Sequence, residues 1–196
     1  MPRRLPPKIS RRLGIILFLL SGPVAAQEPP PPYIQIVESR LKDASVLSRW
    51  LNDSAPDRTN AMQKLTASLS DNVRQSAPWQ EVNTAQQKID PAIQDLLKLL
   101  NAGIAADRTY PDHPTDPPAN NLASALDLQR AMERTISNIV ALMEQQATAA
   151  KRLPRDARTR FGEARLDETV DTLENADRAC RNRIAAYEQM LHDLKP

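Results

Sequence analysis

Two histidines, one cysteine and several acidic clusters hold whatever side-chain chemistry this 196-residue chain could carry. Glu188 and His192 stand four residues apart and so share one helical face. A zinc site needs at least three protein ligands, and a di-iron site takes a Glu-x-x-His motif from each of two helices plus further glutamates. The second histidine, His113, lies in a proline-rich run, so the pair has no visible third ligand. Covalent haem requires Cys-x-x-Cys-His, which a lone Cys180 cannot supply. No Gly-x-Ser-x-Gly, glycine-rich phosphate loop or Cys–His constellation is present. The acidic group Asp167, Glu168, Asp171 and Glu174 precedes Arg178, Arg181 and Arg183, an order that complements a helix dipole and reads as a solvated face. No catalytic residue, cofactor or metal is therefore expected.

Binding chemistry has a stronger signal. Lys151, Arg152, Arg155, Arg158, Arg160 and Arg165 crowd one stretch opposed only by Asp156 and Glu163. This basic turn suits an unidentified protein partner or an anionic envelope surface. The formal charge of +2 hides the background against which it stands. Removing Arg3, Arg4, Lys8, Arg11 and Arg12 takes the 26 basic residues to 21, against 24 acidic, a balance of −3. Such a chain has no global reason to bind nucleic acid.

The elements that must position these residues are helices. Glycine is scarce, aromatics are few, and Ala, Leu, Gln, Arg and Asp dominate. The expected fold is all-α: an antiparallel bundle of four to five helices ending in a long heptad-patterned one. Leu166, Val170, Leu173, Asp177, Cys180, Ile184, Tyr187, Leu191 and Leu194 alternate in steps of four and three, a coiled-coil seam within a helix expected from Asp156 to Leu194. At ~1.5 Å per residue that helix would be about 55 Å long and would outreach its neighbours. Leu173, Asp177, Cys180, Ile184, Tyr187 and Leu191 then form a candidate self-association strip for a homodimer.

Earlier in the chain, helices are expected over Tyr33–Leu51, Ala55–Gln75, Pro78 to Gly103, and Pro117 or Asn121 to Arg152. Asn52-Asp53-Ser54 marks the first boundary, Asp90-Pro91 a kink, and Gly103 a helix end. Residues 104–118 read as a proline-rich crossover, and Pro154 as the reversal of an antiparallel hairpin. Gln86, Gln129, Gln146 and Asp177 interrupt the apolar seams; they set register or sit at a wet rim, and a turn at Pro154 would pair Gln146 with Asp177.

Residues 1–26 have the order of a secretory signal peptide: a basic start, the apolar run Leu13–Leu20, then small residues at Val24-Ala25-Ala26. Residues 27–32 follow as a proline-rich spacer, and 33–196 as the bundle domain. The expected product is periplasmic or secreted after cleavage near Ala26; the alternative is a chain anchored in the membrane by an uncleaved N-terminal segment. The plan of leader plus helical bundle is similar to that of minor subunits of conjugative secretion machines, in architecture alone. The function expected is a non-catalytic interaction or scaffold protein, working through its long last helix and basic turn. The alternatives are a bundle that carries an apolar ligand between its helices and an accessory subunit of a secretion or envelope machine.

Overall fold

Seam positions along the chain become buried faces of helices in the computed structural model, which describes residues 32–109, 118–166 and 169–193. The expected leader, most of the spacer and the His113 segment lie outside these residues. Six helices and no strand occur among the described residues: α1 (Pro32–Ser68), α2 (Asp71–Arg74), α3 (Ala77–Thr109), α4 (Pro118–Lys151), α5 (Arg155–Glu163) and α6 (Val170–Asp193). The protein is an all-α helical bundle. Cross-helix partners show that successive long helices run antiparallel. Arg40 meets Asp107 and Ser48 meets Asn101 between α1 and α3, Gln86 meets Gln146 between α3 and α4, and Ser137 meets Asp177 between α4 and α6.

Three expected boundaries are displaced, each for a local reason. α1 runs unbroken through Asn52-Asp53-Ser54 and Pro56. The polar side chains there fold back on their own helix: Asn52 donates to the Ser48 carbonyl at 2.9 Å and the Ser54 hydroxyl to Trp50 at 2.8 Å. With Leu51, Met62 and Leu65 buried on either side, packing overrides the turn signal. α3 passes through Pro91 and past Gly103 to Thr109. Gly103 is a close approach rather than a cap, since a Cβ there would lie 2.9 Å from Leu128 Cδ2.

The third displacement concerns the last helix. The heptad-patterned helix is present as α6, but the stretch from Asp156 is broken into α5 and α6. α5 ends at a C-cap on Ala164, and Arg165 follows with φ 49°, the left-handed position usually given to glycine. At the standard rise α6 is about 36 Å long, shorter than α1 at about 55 Å, so it does not outreach the bundle. The reversal expected at Pro154 is spread over two turns flanking α5, and it still leaves α4 and α6 antiparallel.

Three apolar clusters stack along the bundle. One end holds Leu122, Leu126 and Tyr187; the middle holds residues such as Ile89, Leu96, Ile136, Ile139 and Leu173; the other end holds Met62, Trp79, Val82 and Leu153 with α5 against them. Between middle and ends lie buried polar groups. Arg58 donates to Gln146 Oε1 and to the Leu166 carbonyl, and Gln146 donates to Gln86 at 3.0 Å and to the Val82 carbonyl at 3.3 Å. The seam glutamines are thus buried, not at a wet rim, and Gln146 pairs with Arg58 and Gln86 rather than with Asp177. Asp177 instead accepts from Ser137 at 3.0 Å and pairs with Arg181 at 2.9 Å.

Gln129 is as buried as Gln146, each 1% exposed, yet its Oε1 has no partner and its Nε2 only reaches Met132 Sδ at 4.0 Å. The two glutamines should therefore respond oppositely to apolar replacement. Gln146→Leu removes one acceptor from the buried Arg58 guanidinium and is expected to cost about 2–3 kcal/mol in urea unfolding. Gln129→Met is expected to leave stability unchanged or raise it by up to about 1 kcal/mol. Equal losses from both would mean that the Arg58 contacts contribute nothing.

Candidate functional site

α1 packs along α3, α3 along α4 and α4 along α6, but α1 and α6 come close at few points. That remaining seam is bridged at two levels by α1 arginines. At the first, Arg40 donates from Nε to Asp107 at 2.6 Å, from Nη2 to the same carboxylate, and from Nη1 to the Tyr187 hydroxyl of α6 at 2.9 Å. The guanidinium also lies 5.6 Å from the Tyr187 ring centroid. Burial pushes the Tyr187 hydroxyl up in pKa, against the opposing pull of Arg40. At the second level, Arg58 holds the Leu166 carbonyl in the turn before α6. The same charge partly offsets burial at Asp90, whose pKa is raised by desolvation and lowered by its Gln86 hydrogen bond and Arg58.

Between the two arginines the seam opens into a cleft of about 360 Å³. Leu47 and Trp50 of α1 form one wall, Ala176 and Ala179 of α6 the other, and Leu100, Met132 and Cys180 reach the floor from the central cluster. The α6 wall is made of short side chains, which leaves the space unfilled. At the rim, Asp43 and Arg183 form an ion pair from α1 to α6. Val46, also at the rim, is 62% exposed, the one large hydrophobic so exposed among the described residues. A larger hollow of about 610 Å³ lies between α1 and α5, but it is open, and Asp57, Lys64, Arg160 and Glu163 line it with offsetting charges. The smaller cleft has the apolar lining and few polar groups of a small-molecule site.

The residues expected from sequence to make contacts fall into a buried or half-buried group on α6 and an exposed group around α5. Leu173, Cys180 and Tyr187 are buried within the chain, and Ile184 and Leu191 pack half-buried on the end cluster. Asp177 is engaged by Ser137 and Arg181. The apolar strip expected to be uncovered is therefore not continuous: its Leu173, Cys180 and Tyr187 are buried within the chain, where α6 lies against α4. Lys151, Arg152, Arg155, Arg158, Arg160 and Arg165 are all exposed, but several are engaged. Arg152 pairs with Glu81, Arg160 donates to the Ser68 carbonyl at 2.5 Å, and Arg158 to Lys151 at 3.5 Å. Glu188 pairs with Arg130 at 2.7 Å, away from any role beside His192. Among the described residues no cluster of three or more His, Cys, Asp or Glu side chains is placed to hold a metal ion.

No known protein family, characterised protein or solved structure matches this chain. The site therefore stands on its own geometry. Sequence reasoning missed its framing residues, Arg40, Arg58 and Asp107, although a signal existed. Val37, Arg40, Ala44, Ser48, Leu51, Ala55, Arg58 and Met62 keep steps of three and four, so both arginines occupy seam positions. Asp107 follows Gly103 in the same α3 phase as Leu96 and Leu100.

Burial pushes the Cys180 thiol up to about 11, with Arg183 pulling the other way. The folded thiol keeps its proton above the pH at which the unfolded chain loses it, from about 9 upward. Its contribution is thus intact below pH 9 and is lost as pH rises towards 11. The stability of wild type relative to Cys180→Ala should fall across that window by roughly 2–3 kcal/mol, read from urea unfolding. A difference that stays flat from pH 8 to 11 would place the thiol in contact with water.

Proposed function

We propose that this chain is an exported, non-catalytic binding protein that holds an apolar ligand in the cleft between α1 and α6. The observation that carries the reading is an apolar cleft of about 360 Å³ floored by Leu100, Met132 and Cys180 of the central cluster. Its volume falls within the range of small-molecule sites, roughly 300–1,000 Å³. The basic–apolar–small order of residues 1–26 supports export. Among the described residues no helix is long and apolar enough to cross a membrane. A second reading, contact with a partner through α6 and the basic turn, is favoured less, because the apolar seam residues Leu173, Cys180 and Tyr187 of α6 are buried within the chain.

A neutral apolar fluorophore such as N-phenyl-1-naphthylamine tests the reading. Wild type is expected to bind it with micromolar affinity. Ala179→Phe, which places a ring in the hollow, is expected to weaken binding at least tenfold while leaving the far-ultraviolet circular dichroism unchanged. Tight binding by a folded Ala179→Phe variant, or none by wild type, would sink it.

A further inference from the structure

We infer, building on that reading, that the ligand is a single-chain carboxylate, with its apolar tail along the α6 wall and its head on Arg183. The cleft runs along α6. Its α6 wall runs from Arg183 past Ala179 and Ala176 to Thr172, about 16 Å at the standard helical rise. Its volume lies at the low end for ligand sites, which suits one unbranched chain rather than a branched or two-chain lipid.

Charge complementarity assigns the head. Arg183 is the cation at the rim, and its side chain is only 16% exposed. A guanidinium so far removed from water needs an anion, since it cannot give up its charge. Asp43 supplies one now, but that carboxylate is 52% exposed and loses little by returning to solvent. A ligand carboxylate can therefore replace Asp43 on Arg183, with the Asp43 side chain turning out to solvent. A cationic head would have to displace a half-buried arginine from the same place. A neutral head has no charge to offer Arg183 in exchange for Asp43. Asp43 and Arg183 thus act as an exchangeable latch: closed on each other when the cleft is empty, and opened by an anion that brings an apolar tail.

Trp50 lines the cleft, whereas the other tryptophan, Trp79, is 3% exposed in the far end cluster. Contact quenching by bromine therefore reports on occupancy. We would titrate the full chain at pH 8 with 11-bromoundecanoate and with the neutral 11-bromoundecanol, below their aggregation limits. Wild type is expected to be quenched by both, with the carboxylate binding at least tenfold more tightly. Arg183→Leu should bring the two to similar affinities. Asp43→Asn, at an exposed position that leaves packing intact, should tighten carboxylate binding several-fold without changing the alcohol. Equal affinities in wild type, or no response to Asp43→Asn, would overturn the carboxylate assignment and leave the cleft reading standing. Absence of Trp50 quenching by either compound would overturn both.

Discussion

Arg40 and Arg58 carry permanent charge into the interior from one face of α1, and the arrangement of the other helices answers to them. An arginine cannot be neutralised at any ordinary pH, so each must be met by acceptors at fixed positions. Arg40 draws on α3 and α6 together, through Asp107 and Tyr187. Arg58 draws on α4 and on the turn between α5 and α6, through Gln146 and the Leu166 carbonyl. Eighteen residues separate them, about five helical turns, which returns both to the same face. Removing a partner from such a buried charge typically costs about 3–5 kcal/mol. The two arginines therefore fix where α1 lies along the bundle.

The same arrangement explains why one seam of the bundle is open and the others are closed. The α3–α4 interface closes tightly enough that a Cβ at position 103 would push against the end of the Leu128 side chain. The α1–α6 seam is spanned by long polar side chains at its ends and faced by alanines in its middle. Arginines reaching across a seam hold helices apart that alanines would let come together. The apolar middle is left as a cleft with the core's own Leu100, Met132 and Cys180 as its floor. The left-handed residue Arg165 belongs to this arrangement too. It ends α5 and presents the following carbonyl to Arg58, so the break in the last helix and the clamp on α1 are one feature.

Periodicity made the helical class, the antiparallel order and most of the core legible before any coordinates. Ile89, Ile93, Leu96 and Leu100, and Met132, Ile136, Ile139 and Met143, are buried where their spacing puts them. What misled was punctuation. Asn52-Asp53-Ser54 and Gly103 carry the composition of helix ends, but the first is satisfied by back-bonding to its own helix and the second by close packing. The real break, at Arg165, lacks the glycine that normally marks one. The cleft was less legible still. It arises because Thr172, Ala176 and Ala179 flank the α6 seam on the side facing α1, and neighbours across a bundle do not follow from one helix's pattern. The arginines were visible as seam positions, but charge at such a position argues against burial until its partners on other helices are known.

The claim on which these points rest is that α1 is fastened across the open seam to α6 by a buried arginine. A double-mutant cycle on unfolding free energy reads that contact directly, using Arg40→Met, Tyr187→Phe and the pair. The account predicts a coupling of about 1–2 kcal/mol between the two sites, as expected for a buried hydrogen bond to a charged group. Effects that add to within about 0.3 kcal/mol would contradict it, because α1 and α6 would then be held in place without reference to each other.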